Sequence, residues 1–176
     1  HPKRRAVCAT ENPGSKLNRQ AIGSGGGIRL PWNLTVDVGA CAAPLTDAQL
    51  AEVPAPVLHF PSVMGAVVIA YNLPEFTGKL KLTGPVIADI FMGKITKWDD
   101  DKIKAINPGV AIPATDIVVC HRSDGSGTSY IFTDYLSKVS SSRSSDVGKS
   151  TAVKGRAGLG GNAHAGVTAV VQHTPR

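Results

Sequence analysis

Apolar and polar positions alternate in blocks along this chain, and the blocks predict strands interleaved with helices. Residues 1–16 read as loop, with Pro2, a basic run at Lys3, Arg4 and Arg5, and the turn-forming Asn12-Pro13-Gly14. Residues 19–23 predict a short strand. It runs into Gly23-Ser24-Gly25-Gly26-Gly27, a stretch that neither a strand nor a helix interior accommodates well. Residues 28–30 open a short helix that Pro31 stops, and residues 36–40 predict another short strand. Thr46 has the character of an N-cap, with Asp47 in the first turn of a helix reaching Glu52.

The strongest strand signals are residues 57–60 and 64–71. The second is an uncharged Val/Ile/Ala-rich run, the pattern of a strand covered on both faces. A helix follows from Thr83 through Phe91, with Pro85 in its first turn and Gly93 able to end it. Another begins at Trp98-Asp99-Asp100-Asp101, runs through Ile106 and stops at Asn107-Pro108-Gly109. Residues 117–120 form a four-residue apolar strand, residues 121–127 a polar, Gly-containing turn, and residues 128–139 an amphipathic helix. That helix carries Tyr130, Ile131, Tyr135, Leu136 and Val139 on or near one face. Residues 140–150 are Ser-rich and read as an exposed connection. Gly158-Leu159-Gly160-Gly161 reads as a tight turn, and residues 165–172 as a last short helix. Strands that alternate with helices define an α/β class.

Composition narrows this picture. At 176 residues, 42% hydrophobic and 18% charged, the chain can bury a real core, which excludes a wholly disordered protein. Its longest apolar run, residues 63–71, has nine residues, against about 20 for a membrane-spanning helix. Residues 1–10 lack the apolar core of a signal peptide, as a mature secreted chain also would. The net charge of +6 favours an anionic partner. The basic residues are scattered, however, and accompany no zinc-finger spacing or RNA-binding aromatic motif, so no nucleic acid partner is expected. Three cysteines, Cys8, Cys41 and Cys120, allow at most one internal disulfide and include no C-x-x-C pair.

The chemistry concentrates in His121-Arg122-Ser123-Asp124-Gly125-Ser126-Gly127-Thr128, between a strand and a helix start. The free N–H groups of a helix's first turn converge on one spot, which the macrodipole makes positive. Ser126 and Thr128 add hydroxyls, and Arg122 adds a planar two-pronged donor, with Asp124 placed to hold that fork. Together these groups suit a small tetrahedral oxyanion. The plainer reading makes Ser126 an N-cap and the glycines turn-formers. A nucleoside triphosphate fits less well, since the P-loop lysine is absent. The earlier Gly23–Gly27 stretch could form a second anion nest or, equally, a flexible linker.

Catalysis has little support. Ser126 lacks the G-x-S-x-G spacing, and nothing in the sequence sets His59, His121, His164 or His173 beside a serine. His59 is expected to pack within its strand, and Trp98 to lie in the core. The aspartates 99–101 could bind a cation but more simply complement a helix dipole. No catalytic residue, metal or cofactor is expected.

At these residues the chain resembles the periplasmic phosphate-binding proteins of bacterial ABC phosphate importers, together with the related DING proteins. The matching motifs are Gln20-Ala21-Ile22-Gly23-Ser24-Gly25-Gly26, Ala43-Pro44-Leu45-Thr46, His59-Phe60-Pro61, Leu82-Thr83-Gly84-Pro85, Lys97-Trp98-Asp99, Asn107-Pro108-Gly109, the 121–128 turn and Gly158-Leu159-Gly160-Gly161. They run in order over residues 19 to 175. The resemblance implies a type II Venus-flytrap architecture, here incomplete, with mixed sheets flanked by helices. Residues 1–73 would form part of a first lobe and residues 74–176 part of a second. It further implies a non-enzymatic, monomeric receptor, periplasmic or at the cell surface, that binds inorganic phosphate and delivers it to a membrane permease. Ser24, Arg122, Ser126, Gly127 and Thr128 would contact the phosphate, and Asp124 would position Arg122. A DING-like interaction role without transport is the alternative, and a phosphoryl-group enzyme a more distant one. Two departures stand out. The family has an Asp that accepts a hydrogen bond from protonated phosphate where this chain has Ala42, and the family's opening phosphate loop has no counterpart in residues 1–18.

Overall fold

The computed structural model describes residues 2–14, 16–140 and 158–175. Among them are seven helices and two strands: α1 (Pro2–Glu11), α2 (Gly23–Trp32), α3 (Asp47–Glu52), α4 (Gly84–Phe91), α5 (Asp101–Ala105), β1 (Cys120–Arg122), α6 (Gly127–Val139), β2 (Leu159–Gly161) and α7 (Ala163–His173). Of the expected exposed connection at residues 140–150, all but Ser140 lies outside the described residues.

Local signals account for the middle helices. The expected cap of α3 is present as a full capping box. The Thr46 hydroxyl accepts from Gln49 N–H (3.3 Å), and Gln49 Oε1 accepts from Thr46 N–H (2.9 Å). Helix α4 carries Pro at its start and ends where Gly93, at φ 72°, lets the chain reverse. Asp100 caps α5 by accepting from Lys102 N–H (2.9 Å), and Asp99 pairs with Lys104 (3.2 Å). The run of aspartates therefore serves the helix end and its surface.

Several expectations are overturned. Residues 2–11 are helix, not loop: Pro2 starts α1, since a proline in the first turn lacks only an N–H that would be unpaired anyway, and Lys, Arg and Ala then propagate it. The Gly23–Gly27 stretch is the first half of α2, and Pro31 lies inside that helix's last turn instead of stopping it short. The strands expected at residues 19–23, 36–40, 57–60 and 64–71 do not form. Residues 57–71 carry strand chemistry without ladder partners among the described residues, and most of their apolar side chains face outward: Leu58 is 88% and Met64 93% exposed. His59 is exposed and accepts a hydrogen bond from Leu45 N–H (3.4 Å) instead of packing in a strand.

The strand expected at residues 117–120 is displaced to Cys120–Arg122, because Ile117 N–H donates to Thr96 O (2.7 Å) instead of joining the ladder. The expected tight turn at residues 158–161 is β2, which pairs in parallel with β1 in the register Cys120↔Leu159, His121↔Gly160, Arg122↔Gly161. The glycines serve close approach here, since a Cβ at Gly161 would lie 2.5 Å from Val167 N on α7. In α6 the packed face is Phe132, Thr133 and Leu136, with Phe132 edge-on to Phe91 of α4 at 4.8 Å; Ile131 and Tyr135 are exposed.

The core gathers Leu73, Val86, Ile90, Ile95, Trp98, Ile103 and Val119, with Trp98 where the sequence put it. Asn107, 4% exposed, stitches this core from below α5. Its Nδ2 donates to Lys81 O (2.9 Å) and Ile103 O (2.9 Å), and its Oδ1 accepts from Lys81 N–H (2.8 Å). Truncation would strand the Lys81 backbone groups and leave a void. We expect Asn107→Ala to lower unfolding free energy by about 1–3 kcal/mol in urea titrations. The exposed change Leu58→Ser should stay within about 0.5 kcal/mol of the parent chain. Equal midpoints for Asn107→Ala and the parent would refute the structural role of this knot.

Candidate functional site

Two glycine-bearing turns meet backbone to backbone. Gly25 N–H, in the first turn of α2, donates to Gly125 O (3.0 Å), in the turn that joins β1 to α6. The fit excludes side chains. At Gly23, whose φ of 68° already favours glycine, a Cβ would lie 2.7 Å from Gly125 O and 2.9 Å from Asp124 Oδ2. At Gly127 it would lie 2.5 Å from Ser24 Oγ and 2.8 Å from Ala42 Cβ. This approach explains why a stretch of poor helix formers is helical in α2: tertiary contact at its first turn outweighs propensity.

The contact brings together residues that are far apart in sequence. Ser24 sits in the first turn of α2, and its Oγ accepts from Ala42 N–H (3.1 Å). Its hydroxyl proton remains available as a donor. Arg122 ends β1 with its side chain only 10% exposed. Its Nε donates to Asp124 Oδ1 (2.6 Å), and its Nη2 donates to Asp124 Oδ2, a two-pronged pairing that fixes the guanidinium plane. Asp124 Oδ1 also accepts from Ala163 N–H (3.0 Å) at the start of α7. The Arg122 guanidinium beside Asp124 holds its carboxyl down at about 2, with the Ala163 N–H assisting and burial opposing.

Ser126 is the N-cap of α6: it is fully buried and its Oγ accepts from Ser129 N–H (3.2 Å). The plainer reading of Ser126 is thus present in the structure. Gly127 and Thr128 then form the first helical positions, whose N–H groups lack intrahelical partners by helix geometry. All six residues singled out by sequence, Ser24, Arg122, Asp124, Ser126, Gly127 and Thr128, fall in one neighbourhood. The chemistry is donor-rich, with hydroxyls, helix-start N–H groups and a guanidinium. Its one carboxylate is already committed to Arg122 and Ala163.

The sequence named Ala42 and His164 without placing them together, and it gave no sign of Ala163. Ala42 packs on Gly127 and donates to Ser24, so its methyl borders the site. Ala163, at φ 55°, holds Asp124 from the far side. His164 places Nε2 3.4 Å from Thr128 Oγ1 across a separation of 36 residues. No local pattern marks His164; the parallel β1–β2 register delivers it. The three cysteines are all unpaired, and burial pushes the Cys120 thiol up.

Comparison with known proteins agrees with this architecture. A family model described as a PBP superfamily domain matches residues 5–173. The chain is 48% identical over 160 residues to the phosphate-binding protein PstS of Xylella fastidiosa (strain 9a5c), covering 90% of this chain and 43% of that protein. It is 45% identical over 160 residues to phosphate-binding protein PstS of Haemophilus influenzae, covering 90% of this chain and 47% of that protein. It is 41% identical over 177 residues to phosphate-binding protein PstS of Methanocaldococcus jannaschii, covering 93% and 45%. The chain spans less than half the length of these curated relatives. With a family model matched over nearly its whole length, the chain belongs to the PBP superfamily.

Proposed function

We propose that this chain carries the phosphate-binding turns of an extracytoplasmic receptor for ABC-type phosphate uptake, with Ser24, Arg122, Ser126, Gly127 and Thr128 as ligands and Asp124 positioning Arg122. In this reading, residues 1–73 and 74–176 contribute to the two lobes of a monomeric flytrap that hands its ion to a membrane permease. The role is capture and release, without bond-making. The observation that carries it is the meeting of the α2 first turn with the Arg122–Thr128 turn, where a clamped guanidinium and two helix starts converge. Helix starts and arginine forks both select anions, and a tetrahedral oxyanion can take donors from several directions at once. The relatives' shared name, phosphate-binding protein, supports the choice of phosphate. No helix among the described residues is long and apolar enough to cross a membrane.

The missing acceptor has a consequence for selectivity. Sulfate is fully ionised near neutral pH, whereas phosphate keeps a proton that a carboxylate can receive. With Ala42 in that place, the site's free groups are donors and serve both ions. Isothermal titration on the 176-residue chain should therefore give heat with phosphate and with sulfate at comparable strength. Folded protein giving no heat with either would overturn the reading. Arg122→Ala should weaken both by ten-fold or more, the scale of about 1.5–3 kcal/mol for a charged hydrogen bond. Ala42→Asp should separate them, strengthening phosphate by about ten-fold while weakening sulfate; an unchanged ratio would count against Ala42 as a bordering residue.

The clamp also predicts an acid response. The Asp124 carboxyl is held at about 2, below the unfolded value of about 3.9, so the folded state binds fewer protons. Its stabilisation is complete above about pH 4 and is lost as pH falls toward 2. Asp124→Asn should flatten the loss of stability over that interval, as measured by urea unfolding at successive pH values. A slope identical to the parent's would mean that the clamp contributes nothing.

A further inference from the structure

We propose that His164 is a proton-dependent positioning residue of the oxyanion site, which sets the direction of the Thr128 hydroxyl proton and thereby couples anion affinity to pH. The inference rests on the reading of the 122–128 turn as an oxyanion site and deepens it.

The argument is one of hydrogen-bond inventory. Thr128 Oγ1 and His164 Nε2 lie 3.4 Å apart, and a threonine hydroxyl has a single proton to give. If Nε2 is bare, it takes that proton and the hydroxyl can offer an anion only lone pairs. If Nε2 carries hydrogen, it donates to Oγ1 and the Thr128 proton is free to turn toward the anion. The neutral ring can adopt either tautomer, whereas the imidazolium has only the donating state. Protonation therefore converts Thr128 into an obligatory donor and adds a positive charge beside the first turn of α6.

The backbone holds His164 in this place from both sides. Ser123 N–H donates to Gly161 O (3.1 Å), and Ala163 N–H donates to Asp124 Oδ1 (3.0 Å). Gly166 N–H donates to Asn162 O (2.9 Å) as α7 begins. Ala163 accepts a left-handed φ of 55° at this junction, a conformation that alanine adopts only where its surroundings dictate it. Strand β1, which packs against α7, carries Cys120, His121 and Arg122, and Asp124 lies in the turn that follows. Asp124 is neutralised by Arg122, and His121 Nδ1 lies 3.1 Å from Arg122 O. Strand β2 carries no titratable side chain, those of α6 are Tyr130, Asp134, Tyr135 and Lys138, and His173 lies at the opposite end of α7.

Phosphate titrates in the same interval as histidine, so sulfate is the probe. Its affinity for the 176-residue chain would be measured calorimetrically at pH 8.0 and pH 5.5, at fixed ionic strength, in buffers of differing ionisation heat. The parent should bind sulfate about ten-fold more tightly at pH 5.5 and take up protons on binding. His164→Ala and Thr128→Val should each abolish the pH-dependent gain. His164→Gln, whose amide can donate at every pH, should bind without pH dependence and at least as tightly as the parent at pH 8.0. Retention of the gain in His164→Ala, or its absence in the parent, would overturn the coupling while leaving the oxyanion site standing. Failure of sulfate and phosphate alike to bind would overturn the site itself.

Discussion

Where the α2 start meets the turn before α6, Gly23 and Gly127 have no room for a Cβ and Gly25 and Gly125 leave little, and the rest of the site depends on that constraint. Because those positions are glycine, the α2 first turn can donate directly to the turn before α6, and Ser24 can lie against Gly127. The same approach sets Gly23 beside the Arg122–Asp124 pair. Asp124 then reaches α7 through Ala163, so one carboxylate ties β1, the turn before α6 and the last helix together. Geometry and electrostatics act in one direction here: bare backbone approaches closely, and the polar groups that remain are donors.

What the sequence made legible followed from how local each signal was. The α3 capping box, the Pro85 start and Gly93 end of α4, the Asn107 stop after α5 and the Ser126 cap of α6 each depend on residues a few positions apart, and each is present. The 122–128 turn could be singled out as a candidate site for the same reason, because Arg122, Asp124, Ser126 and Thr128 share a short segment. Elements that depend on remote partners were misread. Helix α2 exists because a turn about a hundred residues later receives its glycines. Strand β2 is a strand because β1 lies alongside it. His164 enters the site through the β1–β2 register, which no spacing in the sequence discloses.

Residues 57–71 show the converse. Their composition suits a strand with neighbours on both edges and cover on both faces, and among the described residues they have no ladder partner and little cover. Apolar, β-prone sequence is necessary for a buried strand but supplies only half of the ladder. The matched span is less than half the length of these relatives.

The central claim is that the Gly-rich start of α2 and the Arg122–Thr128 turn together make one oxyanion site. Nitrogen-resolved NMR during a phosphate titration tests it most directly, because it reads each donor separately. The account predicts saturable shifts centred on the amides of Ser24, Gly127 and Thr128 and on the Arg122 guanidinium, all with one dissociation constant. Shifts confined to one of the two turns, or spread over the scattered surface lysines without saturation, would contradict it.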